Sequence, residues 1–168
     1  MPTAAIFSLH LLLGYVPWLL CFGTYAWPRL KSMDAVAAHR AIATLHSFRF
    51  FGLVFLVPGV TGPHLPAGFA TFAAFGDLAT GLLAIRHRPL FWLFTAAFNV
   101  VGMIDLVVDY YHGATLGLPA LAGELGAAYA IPVLYVPLLM ITHCAAFCLM
   151  ARGRSTSATP VVAGEAAS

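Results

Sequence analysis

The stretch that decides the fold is AAYAIPVLYVPLLMITHCAAFCLM, residues 127–150. It contains no Asp, Glu, Lys or Arg, and its single histidine is His143. A helix needs roughly 20 predominantly apolar residues to cross the hydrocarbon core of a bilayer. This run is therefore long enough to be a transmembrane helix. Pro132 and Pro137 are expected to kink it, which membrane helices tolerate when neighbours satisfy the freed carbonyl groups.

The composition of the whole chain also indicates a protein that lies in a lipid bilayer. Of the 168 residues, 61% are hydrophobic and only 8% are charged, whereas a soluble domain carries about 25% charged residues. So few charges also argue against a nucleic-acid partner. The cysteines at positions 21, 144 and 148 all lie in apolar runs, so we expect small buried residues and not a secreted disulfide framework.

Five spans are predicted, at about 4–27, 42–61, 66–86, 90–111 and 127–150. No basic residue precedes the first apolar run, which favours a retained helix over a cleaved signal peptide. Residues 31–41 are polar enough for a short helix at the membrane surface, with Asp34 near its start. We therefore expect an all-α domain over residues 1–152, a bundle of five transmembrane helices. A disordered tail is expected at 153–168, because that segment is rich in Ser, Thr and Ala.

The positive charges predict the orientation of these spans. Seven of the eight Lys and Arg residues fall on one side of the five-span arrangement: Arg29, Lys31, Arg40, Arg86, Arg88, Arg152 and Arg154. Because cytoplasmic loops carry the excess of Lys and Arg, we predict an N-terminus outside and a C-terminus in the cytoplasm. The expected location is a bacterial cytoplasmic (inner) membrane.

The eighth basic residue, Arg49, lies inside the second span. Ionisable residues within spans are rare and usually face the interior of the bundle. On a helix with a rise of about 1.5 Å per residue, similar depths are predicted for polar groups on four spans. We therefore predict a buried polar network made of His46, Arg49, Asp77, Asn99 and His143. Its expected centre is an ion pair between Arg49 and Asp77, because an unpaired charge at this depth is costly.

A second polar layer is predicted nearer the outer surface. It comprises His10, Asp105, Asp109 and His112, and we expect His10 to pair with Asp105.

Several functions are compatible with such a network. The groups could hold the helices together and do nothing else, since polar contacts between membrane helices often act this way. Alternatively, they could line a site for a small molecule or for protons, because the two histidines change charge near neutral pH. A third possibility is a haem b electron-transfer protein, with His46 and His143 as the two imidazole ligands.

Other chemistries receive less support from the sequence. A thiol or metal site at the three cysteines and His143 matches no metal-binding spacing, so no metal is predicted. No nucleophile elbow, phosphate loop or metalloprotease motif is present, which favours a role other than catalysis. The leading hypothesis is thus a membrane protein that handles a small molecule or protons, or an accessory subunit of a membrane complex. Its expected partners are the lipid bilayer, a small ligand and other membrane subunits.

Two stretches, RFFGLVFLVPGV (49–60) and FAAFGDLATGLLAI (72–85), resemble the first half of DoxX-type small bacterial inner-membrane proteins. The matching positions are Arg49, Gly52, Phe55, Gly59, Asp77 and Gly81. DoxX-type proteins generally have four spans, and a glutamate usually stands where this chain has Asp77. The resemblance implies a redox-associated or accessory membrane protein.

Overall fold

The computed structural model of this chain describes residues 1–84 and 90–156, with side chains up to residue 152. The cations predicted at positions 86, 88 and 154 lie outside the residues or side chains described. The last helix continues to Thr156 and so enters the segment predicted to be disordered. The remainder of that segment, 157–168, also lies outside the described residues.

The described residues form an all-helical protein without a β-strand. Helix α1 spans Thr3–Ser32, α2 Ala35–His46, α3 Ala67–Ala84, α4 Phe91–Thr115 and α5 Val136–Thr156. A 3-10 helix, Ser47–Leu56, follows α2, and another, Ala122–Tyr129, precedes α5. Within these ranges, four helices are long and apolar enough to cross a membrane: Thr3–Ser32, Ala67–Ala84, Phe91–Thr115 and Ile131–Arg152. The fold is thus that of an all-α membrane protein.

The second predicted span has a different local structure from the other four. Asp34 caps α2, its Oδ1 accepting a hydrogen bond from Ala37 N at 2.9 Å, which confirms a helix starting near Asp34. The expected break between a surface helix and a span at residue 42 is wrong, because α2 continues to His46. The chain then continues as a more tightly wound 3-10 helix, Ser47–Leu56.

The proline-containing segment before α5 is wound more widely, as a π-helical turn over Ile131–Tyr135. Pro137 has no N–H group, so it leaves a carbonyl of the preceding turn without its helical donor. Helix α1 packs against this place: Gly14 lies on the backbone of Val133, and Trp18 Nε1 donates to Leu134 O at 2.8 Å. Helix α1 therefore packs closely against the disturbed turn and donates a hydrogen bond to one of its carbonyl groups.

Two loop segments meet at one end of the bundle, here called the loop end (residues 57–66 and 116–130). Gly62 N donates to Glu124 O at 2.7 Å, and His64 N donates to Glu124 Oε2 at 3.0 Å. Leu125 is fully buried among the core side chains, and Phe7 packs its ring against Tyr129. The start of α1 and both loops therefore lie together at this end.

The opposite end gathers basic side chains. Lys31 and Arg152 both lie over the ring of Trp27, at 5.6 and 5.3 Å from its centroid. Between the two ends, the outer surface of the helix bundle is apolar, as its interior is. Large exposed hydrophobic side chains include Leu12, Leu20, Phe48, Leu93, Ile104 and Tyr111, which is the outer surface that lipid requires.

Candidate functional site

Arg49 is held at the centre of the bundle by the 3-10 helix. With three residues per turn, positions three apart lie in one line. Arg49, Gly52 and Phe55 are buried along that line, whereas Phe48 and Phe51 are more than half exposed on the flank. The winding of this helix therefore aims an arginine inward and its phenylalanine neighbours toward lipid.

The guanidinium group of Arg49 is 0% exposed and faces two carboxylates. Its Nε donates to Asp77 Oδ1 at 2.5 Å, and an Nη2 hydrogen bond goes to Asp105 Oδ2. Nη1 lies 3.3 Å from Gly102 O and 3.5 Å from His143 Nε2. Four contacts from three nitrogens offset much of the cost of burying the cation. The site thus joins α3, α4 and α5 through one side chain.

A chain of hydrogen bonds orients the histidine of α5. Asn99 Nδ2 donates to Thr95 O at 2.7 Å, so Asn99 Oδ1 is the acceptor for His143 Nδ1 at 2.9 Å. The proton of a neutral His143 therefore sits on Nδ1, and Nε2 offers a lone pair to Arg49. A side chain on Gly102 would overlap this ring. His143 acts here as an uncharged acceptor for the guanidinium group.

The second histidine of the network lies beside the first. Thr142 Oγ1 is 2.9 Å from Leu138 O and 3.0 Å from Leu139 O, so its proton is used on the backbone. His46 Nε2 must then donate to Thr142 Oγ1, at 2.9 Å. The ring centroids of His46 and His143 are 4.0 Å apart. Two imidazoles ligating one haem are separated by the porphyrin plane, so this contacting pair does not fit haem ligation.

Two glycines make room for the two carboxylates. A methyl group on Gly52 would overlap the Asp77 carboxyl group, and one on Gly76 would overlap that of Asp105. Small residues at helix interfaces allow such close approach in membranes. The ion pairs therefore depend on glycine in the 3-10 helix and in α3.

The structure brings His46, Arg49, Asp77, Asn99 and His143 together in the bundle interior. It also adds Asp105, which the sequence placed in the outer layer. The expected pair of His10 with Asp105 is wrong, because the Asp105 carboxyl group accepts from Arg49. Instead His10 Nδ1 lies 2.8 Å from the hydroxyl of Tyr129.

The other outer-layer residues also lie apart from one another. His112 packs its ring against Phe72, with 4.9 Å between centroids. Asp109 Oδ1 is buried and has no hydrogen-bond partner in the described part of the chain. The predicted outer layer is therefore not one cluster, and Asp109 is its only member that lines the cavity described next.

A cavity of about 170 Å³ runs from the loop end toward the ion pairs. Asp77 lines it at the level of Arg49, Asp109 lines it farther along, and the exposed Ala114 lies at the loop end. Most of its other walls are apolar: Phe7, Phe55, Phe69, Leu106, Ile131 and Val136. The hydroxyl of Tyr110, another lining residue, lies 3.0 Å from that of Tyr15. The cavity is thus an apolar chamber in which carboxylates are the charged groups.

The cysteines lie away from this site. Cys21, Cys144 and Cys148 are all exposed, so the expectation that they are buried is wrong. His143 is turned into the network and cannot complete a site with them. Among the residues that the structure describes, no group of three or more His, Cys, Asp or Glu side chains is arranged to hold a metal ion.

Comparison with known proteins assigns most of the chain to one family. No curated protein and no solved structure is significantly similar to it. A family model described as "Domain of unknown function (DUF8737)" matches residues 6–151, a range that contains every residue of the Arg49 network. The chain belongs to the DUF8737 family.

Proposed function

We propose that this chain crosses a bacterial-type cytoplasmic membrane five times, with its N-terminus outside and its C-terminus in the cytoplasm. Four crossings would be the long apolar helices, and the fifth would combine α2 with the 3-10 helix. At about 1.5 Å per α-helical and about 2.0 Å per 3-10 residue, Ala35–Leu56 extends over about 38 Å. A hydrocarbon core is about 30 Å thick, so this composite helix is long enough.

The placement of the two ends supports this orientation. The start of α1 lies with both loops, while Lys31 and Arg152 share the opposite end. An odd number of crossings places the chain termini on opposite sides. The cation-rich end would be cytoplasmic by the positive-inside rule.

Within that membrane, the protein is proposed to bind a small molecule in the cavity above Arg49. The observation that carries this proposal is a cavity of about 170 Å³ that reaches from the loop end to the buried, ion-paired Asp77. Apolar pockets with a few polar groups at one end are typical ligand sites. Proton handling by the same carboxyl groups is the alternative use of this arrangement.

The proposal is tested with a probe that matches the cavity in size. A protein cavity of about 150 Å³ lined by apolar side chains binds benzene, so toluene should enter this one and raise the melting temperature in mild detergent. Ala73 lines the cavity and is 2% exposed, so Ala73→Leu should fill it and abolish the shift. A wild-type melting temperature that stays constant up to saturating toluene contradicts a ligand site.

An accessory role in a membrane complex is the second candidate, and it rests on the DoxX-type resemblance. Two of the resemblance positions are in contact, since Gly52 lies against Asp77. A third, Gly81, faces the backbone of the 3-10 helix, where a methyl group would lie 3.4 Å from Phe50 N. These contacts show that the two segments carrying the resemblance pack against each other in this chain. Co-purification of a stoichiometric membrane partner in mild detergent would test it.

A further inference from the structure

The charges around the cavity do not balance. Asp77, a lining residue, is ion-paired with Arg49, and that one cation is shared with the carboxyl group of Asp105. Asp109 adds a third carboxyl group one helical turn beyond Asp105. The two histidines add no compensating charge, because His143 accepts from Arg49 and a protonated ring there would repel the guanidinium group. Up to two negative charges therefore lack a counter-charge, which is costly in this interior.

The three carboxyl groups differ in what can reach them. The free oxygen of Asp105 is enclosed and lies against Gly76, so a proton is the only counter-charge with room to approach it. Asp77 and Asp109 line the cavity. Asp77 is 4% exposed, and no described donor reaches its Oδ2, one side of which packs against Gly52. Asp77 and Asp109 are therefore the carboxyl groups that a ligand within the cavity can meet, and at Asp109 this is through the oxygen other than the enclosed Oδ1.

The remaining walls decide what kind of cation fits. An alkali or alkaline-earth ion needs several oxygen ligands around it, commonly six or more for Ca²⁺. The cavity supplies carboxylates at Asp77 and Asp109 and mostly hydrocarbon elsewhere. A cation that carries its own apolar body would satisfy both features, because its ammonium group can pair with a carboxylate while its body contacts Phe55, Phe69 and Leu106.

We infer that the cavity binds a small lipophilic amine in its protonated form, with the ammonium group between Asp77 and Asp109. The volume of about 170 Å³ limits the apolar body to about the size of one six-membered ring. The inference rests on the proposed ligand site, and it adds the charge and the chemical class of the ligand. An anionic ligand is disfavoured because Arg49 does not line the cavity and is already paired with two carboxylates.

The test compares probes of similar size and different charge on the intact wild-type protein. Benzylamine, benzyl alcohol, toluene and benzoate are titrated in a non-ionic detergent at neutral pH, and affinity is followed by thermal stability and calorimetry. Benzylamine should bind at least about tenfold more tightly than toluene, and benzoate should bind most weakly. Benzoate binding as tightly as benzylamine, or equal affinities for all four probes, would overturn the inference.

A substitution at Asp109 tests whether this residue causes the preference for benzylamine. Binding of the neutral probe toluene reports whether the substituted protein is folded. Asp109→Asn should keep toluene binding and lose most of the preference for benzylamine, whereas Asp109→Glu should retain it. An unchanged preference in a folded Asp109→Asn protein would remove Asp109 from the site. Failure of every probe, toluene included, would instead refute the ligand site itself, so the two failures are distinguishable.

Discussion

Replacing Arg49 by leucine should destabilise this protein more than the loss of its hydrogen bonds predicts. The side chain is fully buried and pairs with two aspartates whose side chains are 6% and 5% exposed. The leucine variant leaves both carboxyl groups in the interior without their cation. Removing one partner of a buried ion pair typically costs about 3–5 kcal/mol, mostly because the other charge remains.

If Arg49 made only ordinary polar contacts, its replacement would cause a smaller loss of stability. Hydrogen bonds between membrane helices contribute about 0.6 kcal/mol each on average, so the four contacts of Arg49 would total about 2.4 kcal/mol. The unpaired-charge account and the hydrogen-bond account also predict opposite changes in stability when the two aspartates are neutralised in the leucine variant. If the unpaired charges dominate, Arg49→Leu combined with Asp77→Asn and Asp105→Asn should be more stable than Arg49→Leu alone.

The assay is equilibrium unfolding in mild detergent titrated with a denaturing detergent and followed by tryptophan fluorescence. Arg40→Leu is a matched control, because Arg40 is an exposed arginine on α2 whose guanidinium group lies over the Phe91 ring, and its effect should stay within about 1 kcal/mol. A triple variant that is no more stable than the single variant would refute the reasoning, since it would show that the carboxyl charges are not what the arginine compensates.

Three further outcomes follow from the packing and the proposed orientation. Gly76→Ala should cost about 1–3 kcal/mol in the same assay, because its methyl group overlaps Asp105, while Gly68→Ala, with no atom within 4 Å, should be neutral. In a cysteine-free background, Ala114→Cys should react with an impermeant thiol reagent from outside, and Met33→Cys only after permeabilisation; the reverse pattern would invert the orientation. Glu124→Ala should speed hydrogen exchange in the 57–66 loop, because His64 N loses its acceptor; unchanged exchange would show that this contact does not order the loop.

The ion pair at the centre was predictable because two independent sequence properties coincided. Arg49 and Asp77 are interruptions at similar depth in separate apolar runs, and Asp77 shares its helical face with small residues. Depth and face together leave few partners for a buried arginine. The same reasoning placed Asn99 and His143 beside them, and the structure has both in hydrogen-bond contact with the network.

Asp105 was assigned to the wrong layer for a physical reason. Depth counted along a helix axis places only the backbone of a residue, whereas an arginine side chain extends far from its own backbone. Arg49 thus reaches carboxyl groups on two helices at different heights. The glycine at position 76, which lets Asp105 approach, carries no signal that distinguishes it from other glycines in membrane helices.

The 3-10 winding of Ser47–Leu56 is not part of the predicted second span, although the sequence contains a signal for it. His46, Arg49, Gly52 and Phe55 follow one another at a strict spacing of three. An α-helical face alternates spacings of three and four, whereas constant spacing of three is typical of a 3-10 helix. Runs of that kind longer than three or four residues are uncommon, and the predicted span takes no account of this spacing.

The 3-10 helix makes this segment intolerant of insertions and deletions. Every inward side chain from residue 46 to 55 is reached by counting in threes, so one inserted or deleted codon rotates all later positions by about 120°. Either change would carry Phe55 out of the cavity wall. One residue inserted before Phe51 would bring that lipid-facing phenylalanine into the position of Gly52, and one residue deleted there would bring Leu53. Tolerance to substitution should therefore rise and fall with a period of three across these ten residues, and length variation should be confined to the loops on either side.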